Sequence, residues 1–250
     1  MSVKPYYEDT ASGIVIYHCD CREVLPTLEP DSVDMLLTDP PFPGLKGGTV
    51  HAGLGGVADS VSNNETVGDE WCASLDWIPD ATRVSRLGGV VFCSYHSVDE
   101  FVREFETAGC SRVALFSWYK RNSPPAMANV PRFTTEFAWA VKKRPGLKWR
   151  NLKDTVIDVP MAVAGCFATE RICKNGKAVH PTQKPVAAMS PFLSVEPQSI
   201  LDPFVGTGTS LVAAKLSGIQ AIGIEREEKY AEIAANRLRQ GVLFGSSESA

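Results

Sequence analysis

The sequence predicts a single α/β domain built on a mainly parallel sheet, on three observations. Short apolar runs that suit buried strands alternate with stretches of helical spacing. Acidic residues, namely Asp20, Asp39, Asp202 and Glu225, stand at the carboxyl ends of such runs, where ligands of parallel sheets collect. The 250 residues, 44% hydrophobic and 22% charged, suit one globular unit that buries its core without disulfides.

In chain order, G-I-V-I-Y-H-C from Gly13 reads as a strand and V-D-M-L-L-T from Val33 as a second. Residues 43–69 are rich in glycine and small polar residues and lack any period, so a flexible loop is expected, either a lid or disordered. Trp71, Leu75, Ile78, Ala81 and Leu87 fall near one helical face, predicting a helix from Trp71 to Arg86 that Gly88-Gly89 ends. V-V-F-C-S-Y is then a strand, and Val98 to Ala108 an amphipathic helix closed at Gly109. Strands are expected over Val113–Tyr119 and Glu136–Val141, around the turn-rich N-S-P-P. Next come a helix from about Pro185, the strand S-I-L-D, a helix from Gly208 and the strand Q-A-I-G-I-E. A last helix runs from Glu227 to about Gln240, and the tail G-S-S-E-S-A is expected to be disordered. One domain thus spans 1–250, with 144–178 as a short basic insertion.

The seven cysteines are odd in number, scattered and never spaced C-x-x-C, which suits a reducing, cytoplasmic setting. His18, His51, His96 and His180 have no metal-cluster spacing, so no metal is expected. No apolar run is long enough for a membrane span, and no signal-peptide segment opens the chain. The net charge of −4 does not announce a nucleic-acid partner. Locally the balance reverses. From Lys142 to Lys184 ten basic residues face only Asp154, Asp158 and Glu170, a formal excess of +7. Lys142, Lys143, Arg144, Lys148, Arg150 and Lys153 are therefore candidates for contact with a polyanion.

L-D-P-F-V-G-T-G-T-S, Leu201 to Ser210, reads as a strand end, a tight turn and a helix start. Gly206 and Gly208 allow close approach of a ligand, and Thr209 suits the helix N-terminus. The third glycine of a dinucleotide loop is replaced by Leu211, and no P-loop lysine follows. Asp202 at the mouth disfavours a pyrophosphate and suits an ammonium group. Seventeen residues beyond Gly208, Glu225 ends the next strand, where a carboxylate can accept both hydroxyls of a ribose. A nucleoside with a zwitterionic, cationic tail has this pattern of groups, and S-adenosylmethionine is such a molecule.

T-D-P-P-F (Thr38 to Phe42), H-P-T-Q-K-P (His180 to Pro185) and D-P-F-V-G-T-G-T-S together resemble the amino-methyltransferases that modify adenine N6 or cytosine N4 in DNA. Their order is similar to the permuted group called β. The resemblance runs from about Ile14 to Leu238, with weaker echoes in L-G-G-V-V-F, W-Y-K-R-N-S-P-P and the Glu136 that opens F-A-W-A-V. It implies a Rossmann-like S-adenosylmethionine-dependent methyltransferase fold, a mainly parallel seven-stranded sheet with helices on both faces. It also implies that Asp202, Phe204, Gly206, Gly208 and Thr209 line the cofactor's methionine end. Gln183, Lys184 and Pro185 would close over its carboxylate, and Asp20 and Cys21 would meet its adenine. The partner would be double-stranded DNA with the target base flipped out. The enzyme would be a monomer or homodimer inside a bacterial, archaeal or phage-infected cell, either in restriction-modification or as an orphan.

Under that resemblance, the corner D-P-P-F has a chemical purpose. An exocyclic amine is a poor nucleophile because its lone pair is delocalised into the ring. Asp39 can accept one of its N–H groups and the Pro40 carbonyl the other, drawing the nitrogen towards tetrahedral geometry. Pro40 and Pro41 lack N–H donors and so cannot be drawn into a ladder or helix. Phe42, where tyrosine is commoner in the family, offers a stacking face worth about 1–3 kcal/mol per base. Adenine N6 is favoured over cytosine N4 because cytosine enzymes more often open this motif with Ser. Other readings are cytosine N4 methylation, an inactive DNA-binding module, and a nicotinamide-type oxidoreductase, which Leu211 and Asp202 disfavour.

Overall fold

Met35, Leu36, Leu37 and Thr38 are all buried, as a strand must be when helices cover both faces of its sheet. The computed structural model describes residues 3–42, 74–123, 134–144, 146–161, 173–174, 177–178 and 183–240. The strands are β1 Tyr7–Asp9, β2 Ile14–His18, β3 Met35–Thr38, β4 Gly88–Cys93, β5 Ser111–Tyr119, β6 Thr135–Lys142, β7 Val156–Asp158, β8 Cys173–Lys174, β9 Lys177–Ala178, β10 Ser199–Asp202 and β11 Gln220–Glu225. The helices are α1 Cys21–Val24, α2 Ile78–Val84, α3 Val98–Thr107, α4 Val186–Leu193, α5 Thr209–Leu216 and α6 Glu228–Arg239.

Nine strands form the main sheet in the order β1-β2-β11-β10-β3-β4-β6-β5-β7, while β8 and β9 make a separate hairpin. The seven expected strands are its body, β2 to β5 in that order. The three-residue β1 and β7 extend the two edges. From β2 to β4 every neighbouring pair is parallel; β6 runs antiparallel to both β4 and β5.

Two apolar layers sandwich this sheet. Ala213, Ala214, Ala231, Ala234, Met189 and Phe192 from α4, α5 and α6 pack on one face. Val24, Ile78, Ala81, Phe101 and Phe105 from α1, α2 and α3 pack on the other. The late strand β10 lies beside the early strand β3, so the chain reverses its winding between them. A crevice forms beyond the carboxyl ends at such a switch point. Asp39 and Asp202 flank it.

One element is shorter than its spacing predicts. α2 begins at Ile78 with Pro79 in its first turn, a position that suits proline and starts helices. Leu75 still packs against the core from the preceding turn, and Trp71 lies outside the described residues. The glycine-rich segment 43–69 and the tail beyond 240 also lie outside them.

Candidate active site

Asp202 is the anchor of the crevice. It ends β10 at 2% exposure and accepts hydrogen bonds from Thr38 Oγ1 (2.6 Å), Phe204 N (3.0 Å) and the Ser210 hydroxyl. The Thr38 bond clamps β10 to β3 across the switch point. Burial pushes the Asp202 carboxyl up to about 6, against the pull of those donors.

The following turn places Gly206 and Gly208 in left-handed backbone, with φ of 53° and 87°. A Cβ on Gly208 would lie 2.8 Å from Ala234 Cβ in α6, so the loop can sit this low on the sheet only without a side chain. Gly206 N donates to Glu225 Oε2 (2.7 Å) and Glu227 N to Oε1 (2.8 Å). Burial raises Glu225 to about 7. Oε2 therefore holds the glycine loop and Oε1 the turn that follows β11, each with a lone pair left over.

Asp39 follows β3 directly. Its side chain keeps 21% exposure, yet Oδ1 is shut off from solvent and has no hydrogen-bond partner among the described residues. Oδ2 accepts a 2.6 Å bond from Lys184 Nζ. Burial raises the Asp39 pKa, Lys184 opposes the rise and the charge on Glu136 adds to it. The Phe42 ring lies 5.8 Å from the same ammonium. Asp39, Gln183, Lys184, Asp202, Phe204 and Gly206 are among the walls of one small hollow of about 60 Å³. The carboxylate and the glycine loop thus share a cavity, and Thr209 Oγ1 ties that loop's helix to the Lys184 carbonyl (3.0 Å).

Beyond the ends of β2 and β11 lies a larger cleft of about 580 Å³, lined by His18, Cys19, Asp20, Arg22, Glu23 and Arg226. Asp20 caps α1 through Arg22 N (2.9 Å) and pairs with the Arg22 guanidinium (2.7 Å), which holds its carboxyl down at about 2.

Three placements differ from expectation. The Cys21 thiol turns into the core at 7% exposure, and Cys19 lines the cleft instead, because α1 starts at Cys21 and points that residue inward. Lys184, expected over the cofactor's carboxylate, directs its ammonium to Asp39 and to Glu136 Oε2 (3.0 Å). Pro185 caps α4 just beyond.

The third concerns the basic stretch. β6 is antiparallel to β4, so Lys142 sits opposite Gly88 at the amino end of the sheet, while Glu136 sits at the site. Six residue steps separate them, about 20 Å of extended chain. Lys143 and Arg144 pair there with Asp31 (2.8 Å each), and Lys148 pairs with Glu196 just ahead of β10. These four cations do not flank the crevice. Lys153 is exposed, and nothing is described of the Arg150 side chain.

The motifs did not point to Glu136 and Lys120 as continuing the Asp39–Lys184 pair. Glu136 Oε1 lies 3.0 Å from Lys120 Nζ, closing a row Asp39–Lys184–Glu136–Lys120. The W-Y-K run and the Glu before F-A-W-A-V were its only traces in the sequence.

The profile of the N6/N4 DNA methylase family matches residues 33–236. The chain is 28% identical over 262 residues to the type II methyltransferase M2.LlaDCHI of Lactococcus lactis subsp. cremoris, covering 98% of this chain and 96% of the relative. It is also 28% identical over 255 residues to the type II methyltransferase M2.DpnII of Streptococcus pneumoniae, covering 95% and 93%. Among solved structures, the M1.HpyAVI complex with S-adenosylmethionine superposes with a TM-score of 0.59 at 28% identity, over 89% of this chain and 98% of that one. The cytosine-N4-specific PvuII DNA methyltransferase shares the fold, with a TM-score of 0.66 at 16% identity over 99% and 91%. The left-handed glycine loop, its buried acids and the adjoining cleft are a donor set that fits a nucleoside with a charged tail. The chain belongs to the N6/N4 DNA methylase family and is an S-adenosylmethionine-dependent DNA methyltransferase.

Proposed function

We propose that this enzyme is a site-specific methyltransferase of the permuted β group that modifies the exocyclic N6 of adenine in duplex DNA. One observation carries the reading: Asp39 holds a buried oxygen with no partner among the described residues, beside Phe42, in the hollow that Asp202 and Gly206 also line. A buried acceptor without a donor is costly, and an amino group is the ligand that would satisfy it. The opening Asp of D-P-P-F favours adenine, by its resemblance to the adenine enzymes.

Asp39 Oδ1 accepts one amine N–H and the Pro40 carbonyl accepts the other. Phe42 stacks on the base, which has left the duplex at a cost of a few kcal/mol and displaced the groups that cover Oδ1. Pro41 keeps the turn from joining a helix. S-adenosylmethionine, when bound, would supply a sulfonium methyl whose C–S electron pair would stay on sulfur as the N–C bond formed, and the amine would lose a proton. Asp39, raised by burial, is suited to receive that proton.

Asp202, Phe204, Gly206, Gly208 and Thr209 hold the methionine end, closed by Gln183 and Pro185. Asp20 and Glu225 serve the adenosine end, Glu225 through its remaining lone pairs. Alignment of the two reactants recovers about 7–11 kcal/mol of the barrier.

Mass analysis of nucleosides from DNA of cells expressing the protein tests the reading. N6-methyladenine is expected. N4-methylcytosine would reassign the base, and neither product would leave a DNA-binding module.

A further inference from the structure

We infer that Lys184 is a positioning residue for methyl transfer: it pins Asp39 Oδ2 so that Oδ1 faces the amine, and Glu136 and Lys120 hold Lys184 in that pose. The inference rests on the reading of Asp39 given above.

The geometry is that of a built network. Lys184 is 5% exposed, with Nζ 2.6 Å from Asp39 Oδ2 and 3.0 Å from Glu136 Oε2. Glu136 in turn meets Lys120 at 3.0 Å. Four separate parts of the chain supply these groups: the end of β3, the start of β6, the end of β5 and the segment entering α4. Aromatic rings wall the ammonium, with Phe92 at 5.4 Å, Phe42 at 5.8 Å and Trp118 at 6.0 Å. A buried row of charges is a poor source of stability, because desolvation opposes the Coulombic gain. Its position directly behind the candidate catalytic carboxylate gives it another use.

The same geometry argues against a clamp on the cofactor's carboxylate. Asp39 and Glu136 already engage the Lys184 ammonium and, with Lys120, close a row of zero formal charge, so no uncompensated cation is left to draw a third carboxylate. Lys184 is held above the ordinary lysine range although burial opposes this, because Asp39 and Glu136 favour its charged form. Glu136 is held at about 2: burial would raise it, but Lys184 and Lys120 outweigh that.

The groups that act on Asp39 are Lys184, Glu136 on β6, Cys93 at the end of β4 and Asp202 at the end of β10, while Lys120 at the end of β5 acts on Glu136. Burial keeps the Cys93 thiol neutral, pushed up to about 12. Burial also raises Asp202. Lys184 is the cation bonded to Asp39, and Glu136 the nearest anion in the row.

The test is the pH profile of the single-turnover methylation rate. Lys184→Gln removes a positive charge beside Asp39, and its acid limb should move up by about 1–3 pH units. Glu136→Gln removes a negative charge, so its limb should move down. The charge-balanced double variant should fall between them and guards against a single variant that fails to fold. A merely structural role would lower rates without opposite shifts.

S-adenosylhomocysteine affinity, read by calorimetry, should stay close to wild type in Lys184→Gln. Unmoved limbs in the folded variants overturn the inference, as does a loss of S-adenosylhomocysteine binding with the limb unmoved, which would restore the cofactor-clamp role. A wild-type protein that methylates no base overturns the function proposed above, and this inference with it.

Discussion

Asp39 and Asp202 are both buried carboxylates with raised pKa, yet their partners divide their work. Asp202 has two hydroxyls and a backbone N–H on its oxygens, and is occupied in joining β3 to the glycine loop. Asp39 has one oxygen bonded to Lys184 and one with no partner among the described residues. Asp39→Ala should therefore lower the methylation rate by about 10²–10⁴-fold. Cofactor affinity, measured by calorimetry, should be retained. Both of these acids were legible in the sequence, since each sits in a contiguous motif whose prolines or glycines constrain its own backbone. Glu136 and Lys120 were not, because they reach Asp39 and Lys184 only by strand pairing. β6 sets Glu136 opposite Trp118 on β5, two residues from Lys120, and short-range spacing cannot report such a register.

Among the elements, the loop from β10 to α5 carries the sharpest constraint. Gly208→Ala should destabilise the protein by about 1–2 kcal/mol for the left-handed backbone alone. The contact with Ala234 would add to this and lift the loop. Thermal melts should show the loss, and S-adenosylhomocysteine titration should show weakened binding. The central strands were readable because continuous burial leaves continuous apolar runs. β1 and β7 were not, since three-residue edge strands have too little pattern of their own. The spacing that extended α2 back to Trp71 reflects Leu75 packing on the core from a turn, where periodicity cannot separate turn from helix.

The molecule as a whole is polar along its strands. Asp39, Asp202 and Glu225 gather at the carboxyl end of the sheet, and Lys142, Lys143, Arg144 and Lys148 lie at the amino end, three of them ion-paired. The double reversal Lys143→Glu with Arg144→Glu should leave both DNA affinity and its salt slope unchanged, read by fluorescence anisotropy across a salt series. Composition shows the local excess of charge, and the antiparallel course of β6 shows where its first members, Lys142, Lys143 and Arg144, lie.

The buried acids also make stability depend on pH. The Asp202 pKa is raised in the fold to about 6, so the folded chain binds more protons than the unfolded chain between about pH 4 and that value. Its contribution is greatest at low pH and is lost as pH rises through about 6. Relative to Asp202→Asn, the wild type should therefore lose stability over that window in denaturant titrations without cofactor.

The central claim is that Oδ1 of Asp39 receives the amine of the target base. A crystal structure with S-adenosylhomocysteine and a DNA duplex carrying the methylation site measures it directly. Asp39 Oδ1 should lie about 2.7–3.2 Å from the exocyclic nitrogen, with Lys184 still on Oδ2. An amine bound elsewhere in the crevice, with Oδ1 still lacking a donor, would contradict it.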